Sequence, residues 1–355
     1  MKTGKFFYFV PIILLALVLS ACSIKFNSGN KAAGVDGGVF VSTNKGEIWQ
    51  NKSLIPTVIG KPGSIIALDA FAFVMDPSDP KTYYYGSTDT GLFYTHDKSE
   101  SWMFVEALGQ IPITDVAVDS KDKCNIYASS GNKLYKSVDC ARTWKQTFVH
   151  NDPKTTITEL EVDTYNPNNI YIGTTRGEIL KSTDGGANWQ VLENFSDKIE
   201  KLVLSANDTR VIFACTTKKG IFRSKDGGSS WTDLKDAFGK EIKDYKDFRD
   251  LDIPAGQGDS VYFATQNNIY KSSDLGESWT GLQLITPEKG ASIYGIAVNP
   301  ANVNELYYVT NTTFYSSADG GQKWSAKKLP TTRAGYILTI DSEDQRILYL
   351  TTMKV

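Results

Sequence analysis

The sequence predicts an all-β chain, a seven-bladed β-propeller of four-stranded blades whose last blade joins two N-terminal to two C-terminal strands. Three observations predict it. All seven tryptophans close one eight-residue pattern, Ser/Thr-x-Asp-x-Gly-x-x-Trp, at successive spacings of 53, 42, 45, 42, 48 and 45 residues. Each copy follows a short apolar strand, and a second strand upstream carries an aromatic at one fixed place: Tyr84, Tyr127, Tyr171, Phe213, Tyr262, Tyr307 and Tyr349. The propeller region starts at a third strand with its box and ends on a first and second strand without one, so the two ends complete one blade. Four strands at this period are the mark of a propeller blade, and such closure removes the open sheet edge.

Taken in order, residues 1–21 read as a lipoprotein signal peptide. Lys2 and Lys5 precede an apolar stretch from Phe6 to Leu19. That stretch falls short of the roughly 20 residues of a membrane span and fits an export signal. Leu19-Ser20-Ala21-Cys22 resembles the lipobox of bacterial lipoproteins. The resemblance implies acylation of Cys22 after cleavage just before it. The polar run from Ser23 to Ala33 has no periodicity, so residues 22–36 read as the lipidated cysteine and a flexible tether. Residues 37–355 are left for the propeller. The expected location is the outer side of a bacterial membrane, at the cell surface or in the periplasm.

The boxes span Ser42–Trp49, Thr95–Trp102, Ser137–Trp144, Ser182–Trp189, Ser224–Trp231, Ser272–Trp279 and Ser317–Trp324. Their acceptor is Asn44 in the first copy, then Asp97, Asp139, Asp184, Asp226, Asp274 and Asp319. Such a side chain accepts turn N–H groups, glycine permits positive φ, and the tryptophan covers the hairpin. Ser99 and Ala141 stand where other copies have glycine. Seven equivalent copies around a ring point to turn structure rather than to catalysis or calcium.

The mature chain, without Lys2 and Lys5, has 36 basic against 40 acidic residues. This mild acidity gives no reason to expect nucleic acid. Two histidines, His96 and His150, and four cysteines offer little for a metal site, and no cofactor is expected. A hairpin turning near Gly131-Asn132 brings Cys124 close to Cys140; export permits a disulfide there, and two buried thiols are the alternative. Cys215 shares a small-residue column with Gly86 and Gly173, as expected of a buried free thiol.

Lys136, Lys181, Arg223 and Lys271 occupy one column just before four consecutive boxes. They are candidates for a basic arc that binds an acidic partner, or for amphipathic cover of the blade edges. Asp115, Glu159, Asp250 and Asp252 fall on inner strands and border the channel. The longest blade-to-blade connections, Ser53–Asp69 and Lys235–Lys246, are candidate binding loops.

The repeat resembles the Asp box, or bacterial neuraminidase repeat. Seven short, regular blades are most similar to the photosystem II stability/assembly-factor-like family. That resemblance covers residues 37–355 and implies a non-enzymatic, protein-binding or assembly scaffold. No residue marks a photosynthetic partner. The partners implied are the membrane, through Cys22, and another envelope protein. The alternative is a carbohydrate-binding surface protein or an Asp-box glycoside hydrolase. Against a sialidase stand the seven-blade count, only seven arginines and no Arg-x-Pro near the start.

Overall fold

The computed structural model describes residues 36–240, 242–286 and 291–354. The signal sequence, Cys22 and the rest of the tether before Asp36 lie outside them. Seven four-stranded antiparallel sheets occupy residues 70–104, 115–149, 157–194, 199–233, 248–281 and 293–328, with residues 334–353 and 39–51 forming the last. They are numbered here as blades 1 to 7. In blade 7 Val39 pairs with Thr351, Phe40 with Leu350, Val41 with Tyr349 and Ser42 with Leu348. The ring is therefore closed by hydrogen bonds between the two ends of the chain. Asp36, which the sequence reading leaves in the tether, is buried and accepts both N–H and hydroxyl of Thr332.

Burial grades outward through each blade. Second strands such as Ile170–Thr174 and Leu306–Thr310 are buried at every residue, because neighbouring blades cover both their faces. Fourth strands such as Gln190–Asn194 are largely exposed. The core thus lies between blades. At the junction of blades 7 and 1, Tyr349 packs on Tyr83 with ring centroids 4.4 Å apart, and Phe73 stacks on Tyr83 at 5.3 Å. Close approach explains the small-residue column. A Cβ on Gly86 would stand 2.9 Å from Ile113 of blade 2, and one on Gly173 would stand 2.8 Å from Ile199 of blade 4.

The first, innermost strand carries a bulge in six of the seven blades. Pairing skips Phe71 in blade 1, Thr158 in blade 3, Glu200 in blade 4, Arg249 in blade 5, Tyr294 in blade 6, and Tyr336 with Ile337 in blade 7. A bulge puts two residues opposite one and re-aims the extra side chain. The connection after blade 7 forms a small hairpin, Leu54–Ile55 against Gly63–Ser64, and the one after blade 4 forms a short 3-10 helix, Leu234–Phe238. Among the described residues no helix is long and apolar enough to cross a membrane.

Candidate functional site

The boxes are self-contained turns. In the third-blade copy the Ser182 hydroxyl donates to Asp184 Oδ1 (2.8 Å) and accepts the Gly186 N–H (2.8 Å). Asp184 also accepts the Asn188 N–H and side-chain amide. The same pattern recurs at Asp97, Asp139, Asp226 and Asp274, with a hydroxyl replacing the amide. Asp319 and Asn44 keep the backbone part. Side-chain and backbone donors hold the carboxyls of Asp139, Asp184 and Asp226 down to about 2. Such groups have no proton to give at neutral pH. Trp144, Trp189, Trp231 and Trp324 donate their indole N–H back to the turn, whereas Trp102 donates to Lys52 O. Trp49 and Trp279 are held by packing, with their indole nitrogens unpartnered.

The column of Lys136, Lys181, Arg223 and Lys271 does not form a free basic arc; the structure spends most of it between blades. Lys136 Nζ donates to Gly185 O of the next blade's box (3.1 Å) and lies 5.0 Å over the Tyr127 ring. Lys181 repeats this with Gly227 O (3.4 Å) and Tyr171. Arg223 is buried and reaches Leu275 O (2.5 Å) and Glu277 (2.8 Å) in blade 5. Lys271 lies 5.5 Å over Tyr262. The physical reason is that box turns leave carbonyls pointing at the preceding blade, and a desolvated cation satisfies them.

Cys124 and Cys140 are joined by a disulfide in the structure, and Cys215 is free and buried. His96 Nδ1 meets the Thr82 hydroxyl at 2.7 Å, and His150 Nε2 meets Glu178 at 3.0 Å. No metal-binding group of three or more His, Cys, Asp or Glu residues occurs among the described residues.

The ring leaves a central cavity of about 560 Å³. At one level, just past the bulges, blades 2 to 5 present Asp115, Glu159, Lys201 and Asp250. Three of these side chains tie their blade to the next. Asp115 Oδ2 accepts the Leu160 N–H (2.7 Å), Glu159 the Leu202 N–H (3.2 Å), and Asp250 Oδ2 the Ile296 N–H (3.0 Å). Asp252 accepts the Val298 N–H at 2.7 Å, and Lys201 pairs with Asp250 at 3.3 Å. The innermost strand is a sheet edge with unpaired N–H groups, and these carboxylates supply the missing acceptors. Burial in the wall pushes Asp115 and Asp252 up to about 7 against their backbone bonds. Burial and then the Asp115 charge push Glu161 to about 8.

Above this level the bulged residues form a rim. Phe71, Tyr294 and Tyr336 make one side, and Thr158, Glu200 and Arg249, with Thr114 of blade 2, make the other; all line the cavity. Phe71 is 40% exposed. Glu200 is held by Lys198 (2.7 Å) and Thr217 (2.6 Å), while Arg249 donates to Gln266 at 3.4 Å. The mouth thus offers an aromatic wall opposite a polar, charged one. Sequence reading missed this rim, since no one residue type recurs around the ring. It also missed a second turn motif, in which Asp76, Asp119, Asp163 and Asp341 accept N–H groups two and three residues on. An Asp-x-x-Asp/Asn run shortly before Tyr84, Tyr127, Tyr171 and Tyr349 was its visible signal.

A model of the DUF6242 beta propeller domain matches residues 101–248. No curated protein matches the chain. Among solved structures it is similar to the GH74 xyloglucanase from Xanthomonas campestris, at 17% identity and TM-score 0.65, over 80% of this chain and 51% of that one. The chain therefore spans about half the length of that enzyme. It is similar to YCF48 from Cyanidioschyzon merolae, at 13% identity and TM-score 0.64, over 84% of this chain and 98% of that one. A structure of YCF48 bound to a D1 peptide matches at 15% identity and TM-score 0.63, over 85% and 96%. At these identities the likeness concerns the fold, and the chain is an all-β propeller of seven four-stranded blades.

Proposed function

We propose that this chain is a non-enzymatic binding propeller, lipid-anchored through Cys22 outside a bacterial membrane, that holds a segment of another envelope protein at its channel mouth. The observation that carries this reading is the rim, where six bulges turn six different side chains toward one opening. The engaged state of the channel acids supports it further, since both oxygens of Asp115 and Asp250 accept N–H groups. YCF48 bound to a D1 peptide is an instance of a similar propeller taking a peptide. The test is a photo-crosslinking residue at Tyr294 in the host cell, with the same residue at Gln322 on the box face as control. One dominant envelope protein captured at 294 and absent at 322 is expected. Identical bulk neighbours at both positions would reject the scaffold.

A carbohydrate ligand is the second reading. It is favoured by the aromatic wall of Phe71, Tyr294 and Tyr336, by the raised carboxyl of Glu161, and by the likeness to a xyloglucanase. Glycan binding abolished by Tyr294→Ala would support it; hydrolysis abolished by Glu161→Gln would make it an enzyme.

A further inference from the structure

We propose that the tip of the hairpin between blades 7 and 1 enters the lipid surface that holds the anchor and so turns the channel mouth toward the membrane. This rests on the reading of Cys22 as lipidated. All seven residues from Pro56 to Pro62 are exposed, with Val58 and Ile59 at 102% and 90%. Two adjacent β-branched apolar residues at a turn tip are costly to leave in water and cheap to bury in hydrocarbon.

The hairpin is fastened to the ring at its base. Leu54 O accepts the Trp102 N–H (2.8 Å), Lys52 O the Trp102 indole N–H (2.8 Å), and Ser53 O the Ser64 hydroxyl (2.9 Å). Arg333 clamps the descending side through Ala67 O (3.0 Å) and Asp69 (2.6 Å). From Ile48 to Leu68 the sequence has no acidic residue; Lys52 at the base is paired with Glu100 (2.6 Å), which leaves Lys61 as the basic residue of the tip. That charge pattern suits an anionic lipid surface.

The incoming chain ends at the foot of this hairpin. Gly37 donates its N–H to Ile66 O (2.9 Å), and Val39 donates to the Ser53 hydroxyl (3.1 Å). The residues between Cys22 and Asp36 reach at most about 50 Å when fully extended. A tether attached at this foot would make even weak insertion of the tip effective. Strand order puts the hairpin on the side of the ring where inner strands begin, which is the side of the bulged rim. The tip thus sets which face meets the membrane, while the anchor supplies most of the affinity.

The test uses the full lipoprotein on vesicles of phosphatidylethanolamine and phosphatidylglycerol. An environment-sensitive fluorophore is placed on Ile59→Cys and, as control, on Ser229→Cys at the opposite, box face. The expected result is a blue shift at 59, quenched by lipid-borne doxyl groups, and neither effect at 229. A vesicle-bound protein without doxyl quenching at 59 overturns the proposal, as does a blue shift without it, which means a protein contact. In the anchored protein, adding Val58→Asp should abolish the doxyl quenching at 59 while flotation through Cys22 persists; quenching that persists overturns the proposal. A protein with native Cys22 that fails to float overturns the anchor itself, and the proposal with it.

Discussion

The carboxylate of Asp115, on blade 2, accepts the backbone N–H of Leu160, on blade 3, at 2.7 Å, and that of Val116 at 2.8 Å. Neither N–H has another strand beside it, because both lie on innermost strands. Asp115→Ala leaves both without an acceptor and should lower stability by about 1–3 kcal/mol. Urea denaturation of the full chain measures it. An unchanged midpoint means that channel water replaces the carboxylate.

Stability should pass through a maximum in mildly acid solution. Asp115, Asp252 and Glu161 titrate near 7, 7 and 8 in the fold, against ordinary values of 3.8 and 4.5. The folded state then binds more protons than the unfolded one, so their contribution falls as pH rises from about 4 toward 7–8. The box carboxyls held near 2 have the opposite sign: their contribution is complete above about 4 and is lost as pH falls toward 2. Thermal midpoints should be higher near pH 4 than at pH 2 or pH 8. Glu161, which no donor among the described residues holds, makes the sharper check: Glu161→Gln should raise the midpoint at pH 8 and leave it nearly unchanged at pH 4, below the ordinary value of 4.5.

Ser99 is the weak copy of the box glycine. It has φ +70°, is fully buried, and its hydroxyl has no partner. Ser99→Gly should stabilise the chain by ~1 kcal/mol, relieving left-handed strain and an unsatisfied hydroxyl at some cost in chain entropy. The reverse change at Gly46 should be strongly destabilising, since a Cβ there would lie 2.2 Å from the Phe314 ring. Paired thermal melts of the two variants decide it.

Arg223 joins blades 4 and 5 from a buried position. Arg223→Met keeps the stem, strips the bonds to Leu275 O and Glu277, and should cost about 2 kcal/mol. Lys136→Met, at a more exposed position, should cost about 1 kcal/mol or less. Neither should change the crosslinks formed at position 294; a lost partner in either variant would restore the basic column as a binding surface.

The disulfide closes a separation of 16 residues. Replacing Cys124 and Cys140 together by serine should destabilise by roughly 3 kcal/mol, chiefly by freeing the unfolded chain. In the native protein Cys215 should resist alkylation until unfolding, because its thiol is buried and pushed well up by that burial. Urea denaturation checks the first statement, and mass spectrometry after iodoacetamide treatment checks the second.

What could be read from the sequence was the chemistry that closes within a few residues. Ser182, Asp184, Gly186, Asn188 and Trp189 build one turn from eight consecutive positions, and seven such turns reveal blade number and closure. The proximity of Cys124 and Cys140 followed from the same local hairpin arithmetic. Relationships across blades were not readable. Lys136 and Gly185 lie 49 residues apart, and the column of basic residues looked free until the ring placed a carbonyl before each of two lysines and the arginine. The rim was hidden for the same reason. Phe71, Thr158, Glu200, Arg249, Tyr294 and Tyr336 span five residue types, and each owes its place to a one- or two-residue bulge that leaves no local signature. Sequence alone therefore determined the repeat and its architecture, since turn chemistry is local. Only the tertiary structure decided which side chains face one opening and which are spent between blades, because ring closure brings together residues that the chain keeps far apart.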